Sequence, residues 1–89
     1  MTDQVTLLSR PANFAVVQLT ERKFPGVVVQ GDTLNALVNR LHQLALLLDS
    51  GELEDLRDGI ADMKEVLAEA RTHYEAVCSE YGIALPYVS

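Results

Sequence analysis

Three side chains in this sequence are able to bind a soft metal ion, but their spacing argues against a shared site. They are His42, His73 and Cys78. A zinc site is usually recognisable from a Cys-x-x-Cys pair or from two histidines four residues apart on one helix. His73 and Cys78 are five residues apart, which does not place them on one face of a helix. We therefore predict no metal site and no cofactor.

Catalysis is also not indicated, because no nucleophile, base and orienting group stand in a readable arrangement. The stretch from Gln30 to Thr33 could hold an anion at the start of a helix. It has only one glycine and no Gly-Lys-Ser/Thr, and the Asp32 carboxylate would occupy the helix amides and repel phosphate. The sequence therefore favours a protein that is not an enzyme.

Length and composition indicate one small folded domain. The chain has 89 residues, of which 48% are apolar, enough for a single core. Cys78 is the lone cysteine, so no disulfide can form within the chain. The most apolar run, Leu44 to Leu48, is far shorter than the roughly 20 residues that span a bilayer. We expect a cytoplasmic protein that does not enter the membrane.

The net charge of −6 is concentrated in the second half of the chain. Acids and bases cancel over residues 1–51, whereas residues 52–89 hold nine acids against Arg57, Lys64 and Arg71. Binding to nucleic acid depends on basic surface that neutralises phosphate. The charge pattern therefore disfavours direct nucleic-acid binding.

The first third of the sequence is typical of a β-meander. Apolar and β-branched runs occupy about 5–8, 14–19 and 27–30. The connections between them are too short for crossovers, so the strands should be antiparallel.

Two helices should follow, over about 33–48 and 52–81, before an extended tail at 83–89. Asp32 should cap the first helix by accepting a hydrogen bond from the Asn35 amide. Gly82 should end the second helix, with Ile83 touching Cys78 one turn back.

The two helices differ in length, which raises the question of what covers the longer one. At 1.5 Å per residue they span about 25 Å and about 45 Å. In an antiparallel hairpin the first helix covers the second only to about Leu67. The apolar seam from Ala70 to Tyr81 then needs the sheet or a second chain. We expect an α+β fold, with a three-stranded antiparallel sheet followed by an antiparallel αα-hairpin whose long C-terminal helix has a heptad pattern, and a homo-oligomer, most simply a dimer.

Several short motifs spread over the chain carry a family resemblance. They resemble those of a family of small bacterial proteins of unknown function, which implies a bacterial or phage origin and a shared fold. The residues concerned are Asn13, Phe24-Pro25-Gly26, Gln30-Gly31-Asp32, Tyr74 and Leu85-Pro86-Tyr87. Residues 24–34 alone also resemble the Pro-Gly…Gln-Gly-Asp-Thr-Leu stretch of HicB-type antitoxins, in which a strand passes directly into a helix.

Two groups of residues are candidates for contact with a partner. In the turn Phe24-Pro25-Gly26, proline presets φ and glycine accepts a positive φ, so the turn is structural and Phe24 is either packed or an exposed anchor. On the long helix, acidic side chains including Asp58, Asp62 and Glu65 lie away from the apolar seam. Such a face is either solvated or a docking surface for a basic protein. Tyr74, Pro86 and Tyr87 are the remaining candidates.

Three functions stay open from the sequence. The first is a protein-interaction module, an antitoxin-like or immunity-like neutraliser of a basic partner. The second is a homodimer that binds a small ligand or has a regulatory role, with a pocket between the sheet and the long helix. The third is a fragment of an enzyme.

Overall fold

A computed structural model describes residues 5–9 and 14–88. It contains three strands and two helices, in the predicted α+β order. Asn13, one of the residues of the family resemblance, lies outside the described residues. The elements are β1 (Val5–Leu7), β2 (Phe14–Leu19), β3 (Gly26–Val29), α1 (Gly31–Asp49) and α2 (Leu53–Glu80).

The sheet is the predicted antiparallel meander, with β2 in the centre. Val5 pairs with Leu19 on one side of β2, and Phe14 pairs with Val29 on the other. Because β2 has a neighbour on both sides, it contains the buried part of the sheet, Ala15 to Val17. Both outer strands are mostly exposed.

The chain divides into two compact units. The first, called here the sheet unit, comprises Met1–Gln30 and Ala70–Ser89. The second, called the hairpin unit, is Gly31–Glu69. The helix α2 contributes its first part to the hairpin unit and its last part to the sheet unit.

The core of the sheet unit joins the central strand to the end of α2. Val16 and Cys78 are fully buried, and they cluster with Tyr74 and Val77. Leu8, Ile83 and Leu85 pack against this cluster. The sheet therefore covers the seam of α2 from Tyr74 to Cys78, whereas Tyr81 at its end stays 53% exposed. The uncovered seam was the sequence-based reason to expect an oligomer, and for this stretch that reason does not hold.

The end of α2 has the predicted glycine. Gly82 has a φ of +67°, and the Ile83 amide donates to the Cys78 carbonyl oxygen at 2.8 Å. These are the marks of a Schellman motif, in which a left-handed residue closes the helix. Gly51, with a φ of +74°, ends α1 in the same way.

In the hairpin unit, the two helices face each other through an inner side of half-buried residues. An added Cβ on Gly59 would collide with the Leu44 side chain, which shows how closely the two helices approach there. Met63 is the buried side chain on this part of α2, and α1 has no buried residue at all. The inner side comprises Leu37, Leu44 and Leu47 of α1 and Leu56, Gly59, Met63 and Val66 of α2.

A second apolar row on each helix remains exposed, and we call the two rows together the outer stripe. Its side chains are between 46% and 60% exposed. The expectation that α1 covers the α2 seam up to Leu67 therefore holds for Leu56 and Met63 only, because the neighbouring row of the seam stays exposed. The outer stripe comprises Leu34, Val38, Leu41 and Leu48 of α1 and Leu53, Ile60 and Leu67 of α2.

The start of α1 also differs from the prediction. The helix begins at Gly31, so Asp32 lies inside its first turn and not before it. Its Oδ1 accepts a hydrogen bond of 2.8 Å from the Thr33 amide, not from Asn35. The carboxylate still lies at the positive end of the helix dipole, where a negative charge is favourable.

Neither helix within the described residues has the length and apolarity needed to cross a bilayer.

Candidate functional site

A surface groove of about 330 Å³ lies within the sheet unit, where the start of β3, the last part of α2 and the C-terminal tail meet. We call it the tyrosine groove. Its walls are mainly apolar. It is lined by Pro25, Gly26, Val27, Ala70, Arg71, Tyr74, Pro86 and Tyr87.

The groove is held together by a long-range hydrogen bond. The buried Tyr74 hydroxyl donates to the Pro25 carbonyl oxygen at 2.8 Å. Because Pro25 is buried, water cannot readily reach its carbonyl oxygen. Without the Tyr74 hydroxyl, this oxygen would lose its hydrogen-bond donor. This bond fixes the residue before β3 against α2.

Burial also changes the chemistry of Tyr74. Desolvation, followed by the neighbouring Cys78 side chain, raises the pKa of Tyr74 from 10.0 to about 12. The hydroxyl is therefore a neutral hydrogen-bond donor at physiological pH. Such a group suits a structural role better than acid–base catalysis near neutral pH.

The tail contributes a second tyrosine to the groove. The Tyr87 hydroxyl donates to Glu75 Oε2 at 3.0 Å, which ties the tail to α2. Partial desolvation, and then this hydrogen bond, raise the pKa of Tyr87 above its usual value. Tyr87 remains 40% exposed, so it is accessible to a ligand in the groove.

Arg71 supplies the cation of the groove. The side chain is exposed, and within the described residues it forms no ion pair, not even with Glu75 four residues further on. A guanidinium on the rim of an apolar groove can stack on a ring or hydrogen-bond a carboxylate or carbonyl of a bound molecule.

The Phe24-Pro25-Gly26 segment differs from the predicted turn. Gly26 is the first residue of β3 and its φ is not positive, so it does not fill the left-handed position of a turn. Phe24 is half-buried beside Lys23, whose Nζ lies 5.3 Å from the ring centroid. Pro25 and Gly26 line the groove, whereas Phe24 does not.

The acidic candidates lie elsewhere in the fold. Asp58, Asp62 and Glu65 are exposed on α2 and belong to the hairpin unit. Among the described residues none of the three forms an ion pair. The possible pair of Glu54 with Arg57, suggested by their spacing, is also not formed there.

The three side chains that could bind a soft metal ion differ in their exposure. Cys78 is fully buried in the core, while His42 and His73 are exposed. Over the part of the chain that is described, no group of three or more His, Cys, Asp or Glu side chains could hold a metal ion. Gly31 is exposed, with no atom within 4 Å of where a Cβ would lie.

Five of the groove residues were singled out from the sequence as separate features. They belong to three different parts of the chain, and the fold brings them to one place: Pro25, Gly26, Tyr74, Pro86 and Tyr87. Arg71 and Ala70 were missed as lining residues. Their spacing could have identified them. Arg71 and Ala70 lie three and four residues before Tyr74, and residues with this spacing share one side of a helix.

Comparison with known proteins gives a family but no activity. No curated protein and no solved structure matches the chain. A family model described as a family of unknown function, DUF6959, matches residues 1–87. The match covers nearly the whole sequence, and the chain therefore belongs to the family DUF6959.

Proposed function

We propose that this protein is a non-catalytic protein-interaction module, and that the tyrosine groove binds a short segment of a partner protein. The observation that carries the proposal is the convergence of two tyrosines, two prolines and an arginine from three separate elements on one groove. Tyrosine and arginine are enriched at the energetic centres of protein interfaces. A tyrosine ring also gives a large contact area at little cost in side-chain entropy.

The open form of the groove favours a polypeptide segment over a small molecule. Its volume of about 330 Å³ is at the lower end for ligand pockets, which enclose most of their ligand. Aromatic and proline side chains side by side are typical of surfaces that bind extended, proline-containing peptides. Arg71 could then hydrogen-bond a backbone carbonyl or an acidic side chain of that segment.

Selection from a random peptide library tests the proposal without a known partner. We expect enriched peptides that shift the amide resonances of Val27, Arg71 and Tyr87. Tyr87→Ala should weaken binding of these peptides at least tenfold. Tyr81→Ala is the matched control, because Tyr81 is exposed on the same unit but does not line the groove.

Two outcomes would contradict the groove proposal. One is the absence of any enriched peptide over repeated selections. The other is enriched peptides whose binding is equally sensitive to Tyr81→Ala and Tyr87→Ala. If only small apolar compounds shift the groove resonances, the alternative of a ligand-binding regulatory protein is favoured.

A second candidate function is supported by the acidic face. Asp58, Asp62 and Glu65 are exposed and unpaired within the described residues, as a docking face for a basic partner requires. An antitoxin-like or immunity-like neutraliser would use such a face. Steering by unpaired charge makes the association rate fall steeply with salt.

The triple variant Asp58→Asn, Asp62→Asn and Glu65→Gln tests this second candidate. It keeps side-chain size and removes three charges, so the free protein should be unchanged or slightly stabilised. Binding to a basic partner should become slower and less dependent on salt. Rates that are unchanged at two salt concentrations would leave the face as solvated surface.

A homodimer in the cytoplasm is the third part of the proposal. It is supported by the amount of apolar side-chain surface that the hairpin unit leaves exposed. Monomeric soluble proteins seldom leave a contiguous apolar patch of several hundred Å² open to water.

A further inference from the structure

The outer stripe of the hairpin unit is an apolar surface that none of the residues in 5–9 and 14–88 covers. We infer that a second copy of this chain docks on it, so that two hairpins form a four-helix bundle. The inference rests on the proposed homodimer and names its interface. It is independent of the tyrosine groove, which lies in the sheet unit.

The spacing of the stripe fits helix–helix packing with an identical partner. On α1, Leu34, Leu41 and Leu48 recur every seven residues, and on α2, Leu53, Ile60 and Leu67 do the same. Rows with this period pack knobs into holes at a small crossing angle, as in four-helix bundles.

Each helix carries two neighbouring apolar rows, an inner one used inside the hairpin and an outer one left free. That arrangement is what every helix of a bundle needs, because it must contact two neighbours. The outer rows of both helices repeat every seven residues. Two hairpins related by a twofold axis can therefore pack with the outer stripe of one against the outer stripe of the other.

The size of the stripe is also sufficient. Burying an aliphatic side chain completely removes about 100 Å² of apolar surface from water, so seven half-exposed side chains offer on the order of 400 Å². A standard interface buries about 800 Å² per partner, and in homodimers about 65% of the buried area is apolar. Ala45, Ala61 and the aliphatic stems of Arg57 and Lys64 flank the stripe and supply the remainder.

The distribution of charge is compatible with a second copy as the occupant. The acids Asp58, Asp62 and Glu65 lie on the side of α2 away from the outer stripe, whereas Arg57 and Lys64 lie beside it. Two copies with a net charge of −6 each can therefore meet on this face without opposing acidic rows.

Pairing through the edge strand β3 is a competing arrangement. The valines of β3 are about 40% exposed, and β3 has no strand on its outer side within the described residues. A dimer formed by pairing of β3 strands would leave the outer stripe exposed. The experiment below separates the two arrangements.

Sedimentation equilibrium of the full chain tests the inference, with Leu41→Glu as the disrupting variant. Asn39→Glu is the matched control, because it adds the same charge to an exposed position on the other side of α1. The unaltered chain should be a dimer at micromolar concentration. Leu41→Glu should raise the dimer dissociation constant at least 100-fold, and Asn39→Glu should change it less than threefold. Ile60→Glu on α2 repeats the test independently, and circular dichroism checks that each variant folds.

Three results would overturn the inference. They are a monomer at 100 μM for the unaltered chain, equal effects of Leu41→Glu and Asn39→Glu, and a dimer that survives Leu41→Glu and Ile60→Glu but is lost on Val28→Lys in β3. Peptide binding by the groove should persist in the Leu41→Glu monomer. Loss of the dimer with intact peptide binding separates a failure of this interface from a failure of the groove.

Discussion

The Tyr74 hydroxyl and the Pro25 carbonyl oxygen, 49 residues apart in sequence, form a buried hydrogen bond of 2.8 Å. This bond joins the last part of α2 to the residue before β3. Proline has no amide hydrogen, so its backbone can form a hydrogen bond only through the carbonyl oxygen, which accepts the bond from Tyr74. The relation explains why a tyrosine, and not another apolar residue, belongs at this position of the α2 seam.

Removing this hydroxyl should cost measurable stability. Tyr74→Phe keeps the ring in the core but leaves the Pro25 carbonyl without its donor, so the free energy of unfolding should fall by about 1–2 kcal/mol. Urea unfolding measures the change. Tyr81→Phe is the control, because Tyr81 is 53% exposed, and it should stay within about 0.5 kcal/mol of the unaltered chain. Equal effects of both changes would mean that the bond contributes nothing.

The raised pKa of Tyr74 predicts a loss of stability at high pH. Its pKa is about 12 in the folded state against 10.0 for an unperturbed tyrosine. A raised folded pKa means that the stabilising effect is complete below about pH 10 and is lost as pH rises from 10 towards 12. Tyr74→Phe cannot ionise at this position, so the stability difference between it and the unaltered chain should shrink over that range. Urea unfolding at pH 8 and at pH 10.8 tests this, and a constant difference would contradict it.

The close approach of Gly59 and Leu44 predicts energetic coupling between the two helices of the hairpin. Gly59→Ala gains about 1 kcal/mol of helix propensity but forces the Leu44 side chain to move. In a Leu44→Ala background the collision is absent, so the same change should be more favourable by about 1 kcal/mol. Ala76→Gly, at an exposed position further along α2 and outside both apolar rows, measures the effect of helix propensity alone. Additive effects of the two changes would show that the helices do not meet there.

The position of Asp32 inside the first turn predicts a smaller effect than the loss of a true N-cap. Asp32→Ala should lower the free energy of unfolding by about 0.5 kcal/mol, at the lower end for capping residues. Asp32→Asn keeps an acceptor for the Thr33 amide and removes the charge, so its deficit should shrink at high salt. A loss above about 1.5 kcal/mol for Asp32→Ala would restore the N-cap interpretation.

Local patterns were sufficient to predict the architecture. Alternating β-branched runs gave the meander, and the heptad spacing on α2 gave the long helix. Gly82 could be placed correctly because a left-handed residue at a helix end depends on only a few neighbouring residues. The predicted start of α1 was wrong. Asp32 was expected to be the N-cap, but the helix already begins at Gly31, so Asp32 lies in its first turn.

Which side of each helix is covered could not be predicted from periodicity. The seam on α2 is one continuous pattern in the sequence, but the fold buries Tyr74 and Val77 against the sheet and leaves Ile60 and Leu67 exposed. Which row is covered depends on contacts between residues far apart in sequence, such as the close approach of Gly59 to Leu44. A pocket between the sheet and the long helix was one of the alternatives, but the residues that line the tyrosine groove could not be grouped in advance, because they come from three parts of the chain that are far apart in sequence.

The central claim is that the outer stripe, exposed in one chain, is covered by another copy. Methyl NMR with an inert paramagnetic cosolute measures this directly, since the cosolute broadens the methyl signals that solvent can reach. At concentrations where the dimer forms, the methyl groups of Leu41, Ile60 and Leu67 should be protected, and dilution should expose them. The methyl groups of Val28 should broaden equally at every concentration. Leu41, Ile60 and Leu67 signals that broaden equally in dilute and concentrated samples would contradict the account.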